Sequence, residues 1–209
     1  MPFDINAFRT DVATYGYIHT SHFDVTVTPP TALAGAATVT GGTAISSSTA
    51  ASLLKMRVEQ VKIPGVALLT ADVERYGVGP TQKMPWSAAF VDTSFTFLAD
   101  KNGSLWNFWY QWMLATVNFS GTENNTAAGA AINDNATYLV AYKDDIVGQV
   151  HVTMYNQNGA AAQTILLSDA YPVSMNDVQV GWGEEDALLR VTIGLTFKEV
   201  VIANAGVAI

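Results

Sequence analysis

Cysteine is absent from the 209-residue chain. Its absence excludes disulfide frameworks, thiolate nucleophiles and zinc or iron sites built on cysteine. Charge is also scarce, since only 13% of the residues are charged, and the 18 Asp and Glu outnumber the 10 Lys and Arg to give a net charge of −8. An acidic chain repels the phosphate backbone of duplex DNA, which argues against a tight nucleic-acid binder.

Long apolar runs and targeting signals are missing as well. No run approaches the ~18 residues of a membrane span, and the N-terminus lacks the basic start and apolar segment of a secretory signal. We therefore expect cytoplasmic assembly without membrane binding. Hydrophobic residues nevertheless make up 49% of the chain, so some of this surface is expected to be buried against other chains.

Motifs of catalysis and ligand binding are not found either. The sequence has no G-x-S-x-G elbow, phosphate loop or H-E-x-x-H motif. His19 and His22 have a spacing that could seed a metal site but lack an obvious third ligand, and the carboxylates at 144–145 and 184–186 lack the loop spacing of a calcium site. We predict no enzyme activity, no cofactor and no metal.

The clearest pattern in the chain is the alternation within residues 170–200. Residues 177–182 place Val178, Val180 and Trp182 on one side, an acidic turn follows at 183–187, and a second alternating run begins at 189. This pattern predicts a hairpin with one apolar and one polar face. In the second run the apolar face comprises Leu189, Val191, Ile193, Leu195 and Phe197, and the polar face comprises Arg190, Thr192, Gly194, Thr196 and Lys198.

Other segments fit the same mainly β architecture. Alternation predicts strands at 22–28, 54–61 and 88–98, and a hairpin formed by 137–142 and 146–155 around a turn at 143–145. A short helix is predicted at 5–14 and a central helix at 105–116, capped by Ser104. Long loops are predicted at 31–52 and 120–136, and the apolar tail 200–209 is expected to dock on a neighbour. The sum is one domain, an antiparallel β-barrel or sandwich with one packed central helix.

The central helix is apolar nearly all round. Leu105, Phe108, Trp109 and Trp112 form one stripe, and Trp106, Tyr110 and Met113 form a second. A helix that is apolar on two sides must be covered on two sides, by its own sheet and by a neighbouring subunit.

A stretch rich in Gly and Pro, residues 66–87, is predicted to project from the body as an extended arm. It carries residue types that are enriched at protein interfaces, while the alternative interpretation is an ordinary surface loop. These residues are Arg75, Tyr76, Lys83, Met84 and Trp86.

Two of these segments resemble bacteriophage tail tube proteins of the contractile-tail type. Residues 57–86, RVEQVKIPGVALLTADVERYGVGPTQKMPW, resemble the family's strand, Pro-Gly kink and Arg-Tyr-Gly arm that closes on Lys-Met-Pro. Residues 170–197, AYPVSMNDVQVGWGEEDALLRVTIGLTF, resemble its C-terminal hairpin after a Tyr-Pro or Phe-Pro pair. The regions 31–52 and 120–136 are longer than in the plainest members and are interpreted as loop insertions.

The resemblance implies a β-barrel subunit that forms hexameric rings, which stack into a tube inside a contractile sheath and conduct the phage genome. Expected partners are further copies of the chain, the sheath protein, a baseplate or tube initiator and a tape measure protein. DNA passes without specific binding, and the tube belongs to the virion. The resemblance assigns ring-to-ring contacts to Arg75, Tyr76, Gly77, Lys83 and Met84. Gln149, His151, Thr153, Arg190, Thr192 and Thr196 are candidates for the lumen wall.

Two alternatives remain open from sequence. The same fold could form the tube of a tailocin or a type VI-like secretion system, which carries effectors instead of a genome. From a different class, a β-sandwich carbohydrate-binding module could display the 5 Trp and 8 Tyr, provided that some of these rings share a shallow groove.

Overall fold

The structure, a computed structural model, describes residues 4–30, 33, 52, 54–74, 77, 79–117, 119, 138, 140–178, 180–183 and 188–204. The predicted loop at 120–136 lies outside these residues. So does the loop at 31–52, apart from Leu33, which is buried, and Ser52, which is exposed. The tail beyond 204 lies outside them as well.

Three helices and nine strands are described from end to end. They are α1 (Ile5–Tyr15), β1 (Ile18–Thr28), β2 (Val58–Val61), β3 (Val66–Val73), β4 (Gln82–Phe90), β5 (Thr93–Leu98), α2 (Ser104–Thr116), α3 (Lys143–Ile146), β6 (Gly148–Asn156), β7 (Ala161–Met175), β8 (Arg190–Thr196) and β9 (Glu199–Asn204). All strand pairs are antiparallel. The predicted mainly β, antiparallel architecture with few helices is confirmed.

Seven strands form one sheet path in the order β1-β6-β7-β8-β5-β2, with β9 also paired to β7. The first half of β7 pairs with β6 on one edge and with β9 on the other, while its second half pairs with β8. Strands β8 and β9 are consecutive in the chain and both pair with β7. Strand β7 and the segment 190–204 therefore make one long hairpin that belongs to both halves of the sheet. Within the described residues this path is open between β1 and β2.

Strand β7 is locally irregular where it passes from one half of the sheet to the other. Asp169 adopts a positive φ of 51°, between the pairing of Ser168 with Glu199 and that of Tyr171 with Thr196. Such a conformation marks a local break in a strand rather than its end. Lys143 reaches the Asp169 carboxylate at 3.2 Å, with Lys198 at 3.9 Å.

The core lies between the inner faces of the strands and helix α2. The first predicted stripe of α2 is buried, and the second, with Trp106, Tyr110 and Met113, is half-buried. The Trp109 and Trp112 rings stack 5.5 Å apart, and Trp112 Nε1 donates a hydrogen bond to the Ile146 carbonyl at 2.8 Å. The side chains of β5, β6, β7 and β8 that face inward belong to the same cluster, so these strands share one buried side.

Gly148 opens β6 where the strand passes close to Trp112. A Cβ atom at this position would lie 2.8 and 2.9 Å from two carbons of the Trp112 ring, and would also meet the Thr28 carbonyl. Carbon atoms do not approach that closely without displacement. A side chain at residue 148 would therefore push β1 or the helix away from β6.

The start of α2 differs from the prediction. Ser104 is the first residue of the helix, and the N-cap is Gly103, at φ 68°, without a side-chain hydrogen bond. The carboxylate of Asp100 caps instead, because its Oδ1 accepts from the backbone N–H of Leu105 at 2.9 Å. Burial raises the pKa of Asp100, but hydrogen bonds from the Leu105 backbone and the Ser104 side chain outweigh burial and hold the pKa below its usual value.

Several predicted strands have different bounds. Residues 54–57 are helical before β2, and the run 88–98 is divided between β4 and β5. The hairpin of 137–142 with 146–155 was wrong: Val140 makes one bridge to Val117, residues 143–146 are helical, and β6 pairs with β1 and β7. The described residues of 177–182 are in no strand. The first strand of the closing hairpin is instead β7, which ends at Met175.

Candidate assembly surfaces

The stretch predicted to be an extended arm is a β-hairpin, formed by β3 and β4 and called the arm below. Its strands pair in register from Val66 opposite Phe90 to Val73 opposite Gln82, with a bulge at Trp86. No other described strand pairs with them, so they form a two-stranded sheet of their own. An isolated two-stranded sheet is marginally stable in water.

Both faces of the arm are apolar and exposed. Every residue of β3 is exposed, and in β4 only Ser87 and Ala89 are half-buried. Side chains that are opposite in register share a face, so Leu68 lies with Ala88 on one face, while Leu69 lies on the other. The exposed apolar side chains of the arm are Val66, Leu68, Leu69, Val73, Met84, Trp86 and Phe90.

Three of the predicted ring-contact residues, Gly77, Lys83 and Met84, are described and lie at or near the tip of the arm. Arg75 and Tyr76 fall outside the described residues, and Gly77 has a positive φ of 70°. Lys83 pairs in register with Asp72, an opposite charge, and Met84 is exposed. The structure thus places the described members of the set on one exposed hairpin, and their role in contacts stays a prediction.

A second surface is the outer face of the main sheet. The predicted lumen-wall residues alternate with side chains of the core on β6 and β8, where Val150, Val152, Val191, Ile193 and Leu195 are buried. Since these five belong to one cluster, the residues between them all point away from the core. The structure therefore brings Gln149, His151, Thr153, Arg190, Thr192 and Thr196 onto one sheet face, where their role as lumen wall stays a prediction.

This outer face is rich in hydroxyl groups and in paired charges. Thr192 and Thr96 share a hydrogen bond at 3.0 Å. Arg190 donates two hydrogen bonds to the Glu59 carboxylate, from Nε at 2.6 Å and from Nη2 at 3.1 Å. Lys55, in the helical residues before β2, lies 2.7 Å from the carboxylate of Asp24 on β1. Both cations therefore have a carboxylate partner within the chain.

These ion pairs shift the pKa values of their members. The hydrogen bond from Arg190 holds the pKa of Glu59 below its ordinary value, and the same bond raises the pKa of Arg190. The hydrogen bond to Asp24 raises the pKa of Lys55. The Arg190–Glu59 pair is exposed, so it fixes charge positions rather than contributes much stability, whereas the Asp24 side chain of the other pair is only 13% exposed.

The two ends of strand β8 carry different apolar surfaces. The Thr196 hydroxyl, at one end of β8, donates a hydrogen bond to the Asp92 carboxylate at 3.3 Å. The Val91 N–H donates to the Gly65 carbonyl at 3.3 Å, which closes the base of the arm, so that base lies at the Thr196 end of β8. At the Arg190 end lies the loop that joins β7 to β8, residues 176–189, called the β7–β8 loop below.

The β7–β8 loop contains exposed residues that the sequence analysis placed on the apolar side of a strand. Val180 is 83% and Trp182 104% exposed. Leu188, which belonged to neither predicted run, is 65% exposed. The signal against a strand was available in the sequence, because Gly181 and Gly183 flank Trp182 and glycine weakens strands.

Among the described residues, no group of three or more His, Asp or Glu side chains could hold a metal ion. His19 and His22 lie with their rings 5.4 Å apart, and His19 Nε2 is 2.9 Å from Gln157 Nε2. In the part of the chain that the structure describes, no helix is long and apolar enough to span a membrane.

The family model described as "Phage tail tube protein" matches residues 18–203 of the chain. The chain belongs to the phage tail tube protein family. The resemblance seen in the sequence is thus confirmed, and as a family member the chain is a tube subunit of a phage tail or of a related contractile injection system. No curated protein sequence matches it.

Several solved structures with a similar fold come from contractile injection systems. A chain of the sheath-tube complex of the extracellular contractile injection system PVC, in its extended state, has a TM-score of 0.56 at 15% identity, covering 94% of this tail tube protein and 97% of that chain. A chain of the anti-feeding prophage baseplate has a TM-score of 0.56 at 9% identity, with coverages of 91% and 98%. A chain of the tube-terminating cap of the same prophage has 0.55 at 15%, with coverages of 90% and 92%. At these identities the likeness shows the fold alone.

Proposed function

We propose that this tail tube protein forms hexameric rings that stack into a hollow tube inside a contractile sheath and conduct a phage genome. The observation that carries the proposal is the arm, a two-stranded sheet with exposed apolar side chains on both faces. Such a surface is unfavourable in a free monomer and favourable once neighbouring copies cover it. The edge strands β1 and β2 are covered when subunits pair around the ring.

The outer sheet face suits the wall of such a tube. Threonines and an amide line it, and Arg190 is already bound by Glu59. The bore then offers few free cations to the phosphates of a DNA duplex. Because contacts with phosphates supply non-specific DNA binding, a wall with few such contacts slows the passage of DNA less. The net charge of −8 acts in the same direction.

The partners proposed for the tube are the sheath protein, a baseplate or tube initiator and a tape measure protein. The similar chains come from a sheath-tube complex, a baseplate and a tube-terminating cap, which supports sheath and baseplate contacts. We propose that the chain has no enzyme activity, because the family is structural and the sequence contains no catalytic motif.

Negative-stain electron microscopy of the purified protein across a concentration series, paired with sedimentation, tests this proposal. Rings with six-fold averages and tubes of uniform width are expected. A protein that stays monomeric at every concentration contradicts it. A tube from a tailocin or secretion system would look the same, so the flanking genes decide between them: capsid and terminase genes accompany only a phage.

The carbohydrate-binding alternative needs exposed aromatic rings that share one groove. Trp109 and Trp112 are instead buried, whereas Trp86 and Trp182 are exposed on the arm and on the β7–β8 loop. The base of the arm and the β7–β8 loop lie at opposite ends of β8, which disfavours a common sugar platform. Glycan-array binding by the monomer would favour the alternative.

A further inference from the structure

The β7–β8 loop exposes a Trp that its own subunit does not cover. Trp182 is fully exposed, and the neighbouring Val180 is exposed nearly as far. Exposed apolar side chains of this size, next to each other along the chain, indicate an interaction site. Trp is also the residue type most often found at the energetic centre of protein interfaces. We therefore expect another surface to cover the Trp182 ring on assembly.

The arm and the loop lie at opposite ends of the same sheet. Strand β8 runs from Arg190, beside the loop, to Thr196, beside the base of the arm. Six steps of ~3.3 Å separate these ends by about 20 Å. Strand β3 has 8 residues, so the arm is itself about 23 Å long. Two different apolar surfaces at opposite ends are what a head-to-tail, open-ended assembly requires.

Charge argues against pairing of the loop with itself. The loop sequence NDVQVGWGEEDALL contains four carboxylates and no Lys or Arg. Bringing two such loops together would place like charges against each other. The arm, residues 66–90, contains Asp72, Glu74, Arg75 and Lys83, which sum to zero. A neutral apolar hairpin is therefore the better partner for an acidic apolar loop.

We propose that Val180 and Trp182 of one subunit pack against the arm of a subunit in the adjacent ring, around Leu68, Leu69 and the bulge at Trp86. This inference rests on the proposed tube and names the receiving surface of the arm. Each subunit then gives one arm and receives one, so the contact repeats along the tube axis without closing.

The absence of native cysteine makes this contact testable by specific cross-linking. Ala88→Cys places a thiol on the exposed arm, opposite Leu68 in register. Gly181→Cys places one beside Trp182, where a Cβ meets no atom within 4 Å. Both changes leave Leu68 and Trp182 in place. Tubes of the double variant are treated with a short bis-maleimide and separated on a denaturing gel.

A ladder that extends past six subunits is the expected result, since stacking contacts propagate along the tube. The single variants, and Ala88→Cys combined with Asn158→Cys in the exposed β6–β7 turn, serve as matched controls and should give no such ladder. A ladder that stops at six means that arm and loop meet within one ring, which overturns the inference. Well-formed tubes without a ladder also overturn it but leave the proposed function standing. A parent chain that forms no tubes overturns both.

A second measurement does not depend on cross-linking. Trp182→Ala should leave the unfolding midpoint of the monomer unchanged, because the ring is fully exposed. It should raise the protein concentration needed for tube growth by roughly thirtyfold, as expected for the loss of a Trp at the centre of an interface. Tube growth at the unchanged concentration contradicts the inference.

Discussion

Trp86→Ala tests whether the arm is buried on assembly. The Trp86 side chain is 68% exposed. With about 250 Å² for a fully exposed Trp, about 170 Å² is available for burial. At ~25 cal/mol per Å² this corresponds to about 4 kcal/mol if a neighbouring subunit covers all of it, and about 2 kcal/mol if it covers half. The critical concentration for tube growth should therefore rise by about 30-fold to 1,000-fold.

The assay is sedimentation of assembled tubes against total protein concentration, with electron microscopy of the pellet. The free monomer should unfold within about 0.5 kcal/mol of the parent, because no other described strand pairs with the arm. Met56→Ala is the matched control, since Met56 is an exposed apolar residue outside the arm and the β7–β8 loop. Growth of Trp86→Ala tubes at the parent's concentration would refute the reasoning, as would an equal effect of the control.

Three further outcomes are expected. In a urea titration, Gly148→Ala should lower the free energy of unfolding by about 1–3 kcal/mol, because the added Cβ meets the backbone and a packed indole. Gly194→Ala should cost less in the same titration, because the only close approach of its Cβ is to a serine hydroxyl. Asp100→Ala should cost ~1 kcal/mol at pH 7 through the lost cap. Because the pKa of folded Asp100 is lowered, this contribution is present above the unfolded pKa of ~3.9 and shrinks as pH falls through the folded value, so parent and variant should converge in acid unfolding curves. The double variant Arg75→Ala/Tyr76→Ala should fold, by circular dichroism, yet form no long tubes by electron microscopy.

Two elements that pack against the core, β8 and α2, could be predicted from the sequence. In β8, the alternation that places Val191, Ile193 and Leu195 inward is reproduced by the structure, because a buried face allows only one register. Helix α2 was predicted to within one residue of its start, since its apolar stripes have nowhere else to pack. Its cap was not, because Asp100 reaches Leu105 from outside the usual capping position.

The long strand β7 could not be predicted, since it contains two residues that normally end strands. Asp169 has a positive φ, and Pro172 has no N–H for a ladder. Pro172 is tolerated because this half of β7 pairs only with β8 among the described strands, so its other edge needs no donor. The Tyr-Pro pair was therefore interpreted as the start of a hairpin, whereas it lies inside strand β7.

Segments whose apolar residues face outward could not be predicted correctly from the sequence. Alternation at 177–182 is the pattern of a half-buried strand, yet Val180 and Trp182 are exposed within one subunit. Periodicity reports that a side chain needs cover but not which chain supplies it. A monomer sequence is thus ambiguous wherever assembly completes the core.

If arm and loop meet between rings, the tube must be polar and its two ends must differ chemically. One end exposes a ring of arms, neutral and apolar on both faces, while the other exposes a ring of acidic loops with Trp182 uncovered. A protein that begins the tube and a protein that terminates it then need opposite features. The partner at the arm end must offer an apolar surface like the β7–β8 loop, whereas the partner at the loop end must offer a projecting hairpin. A single protein presenting only one of these surfaces could therefore cap one end of the tube but not both.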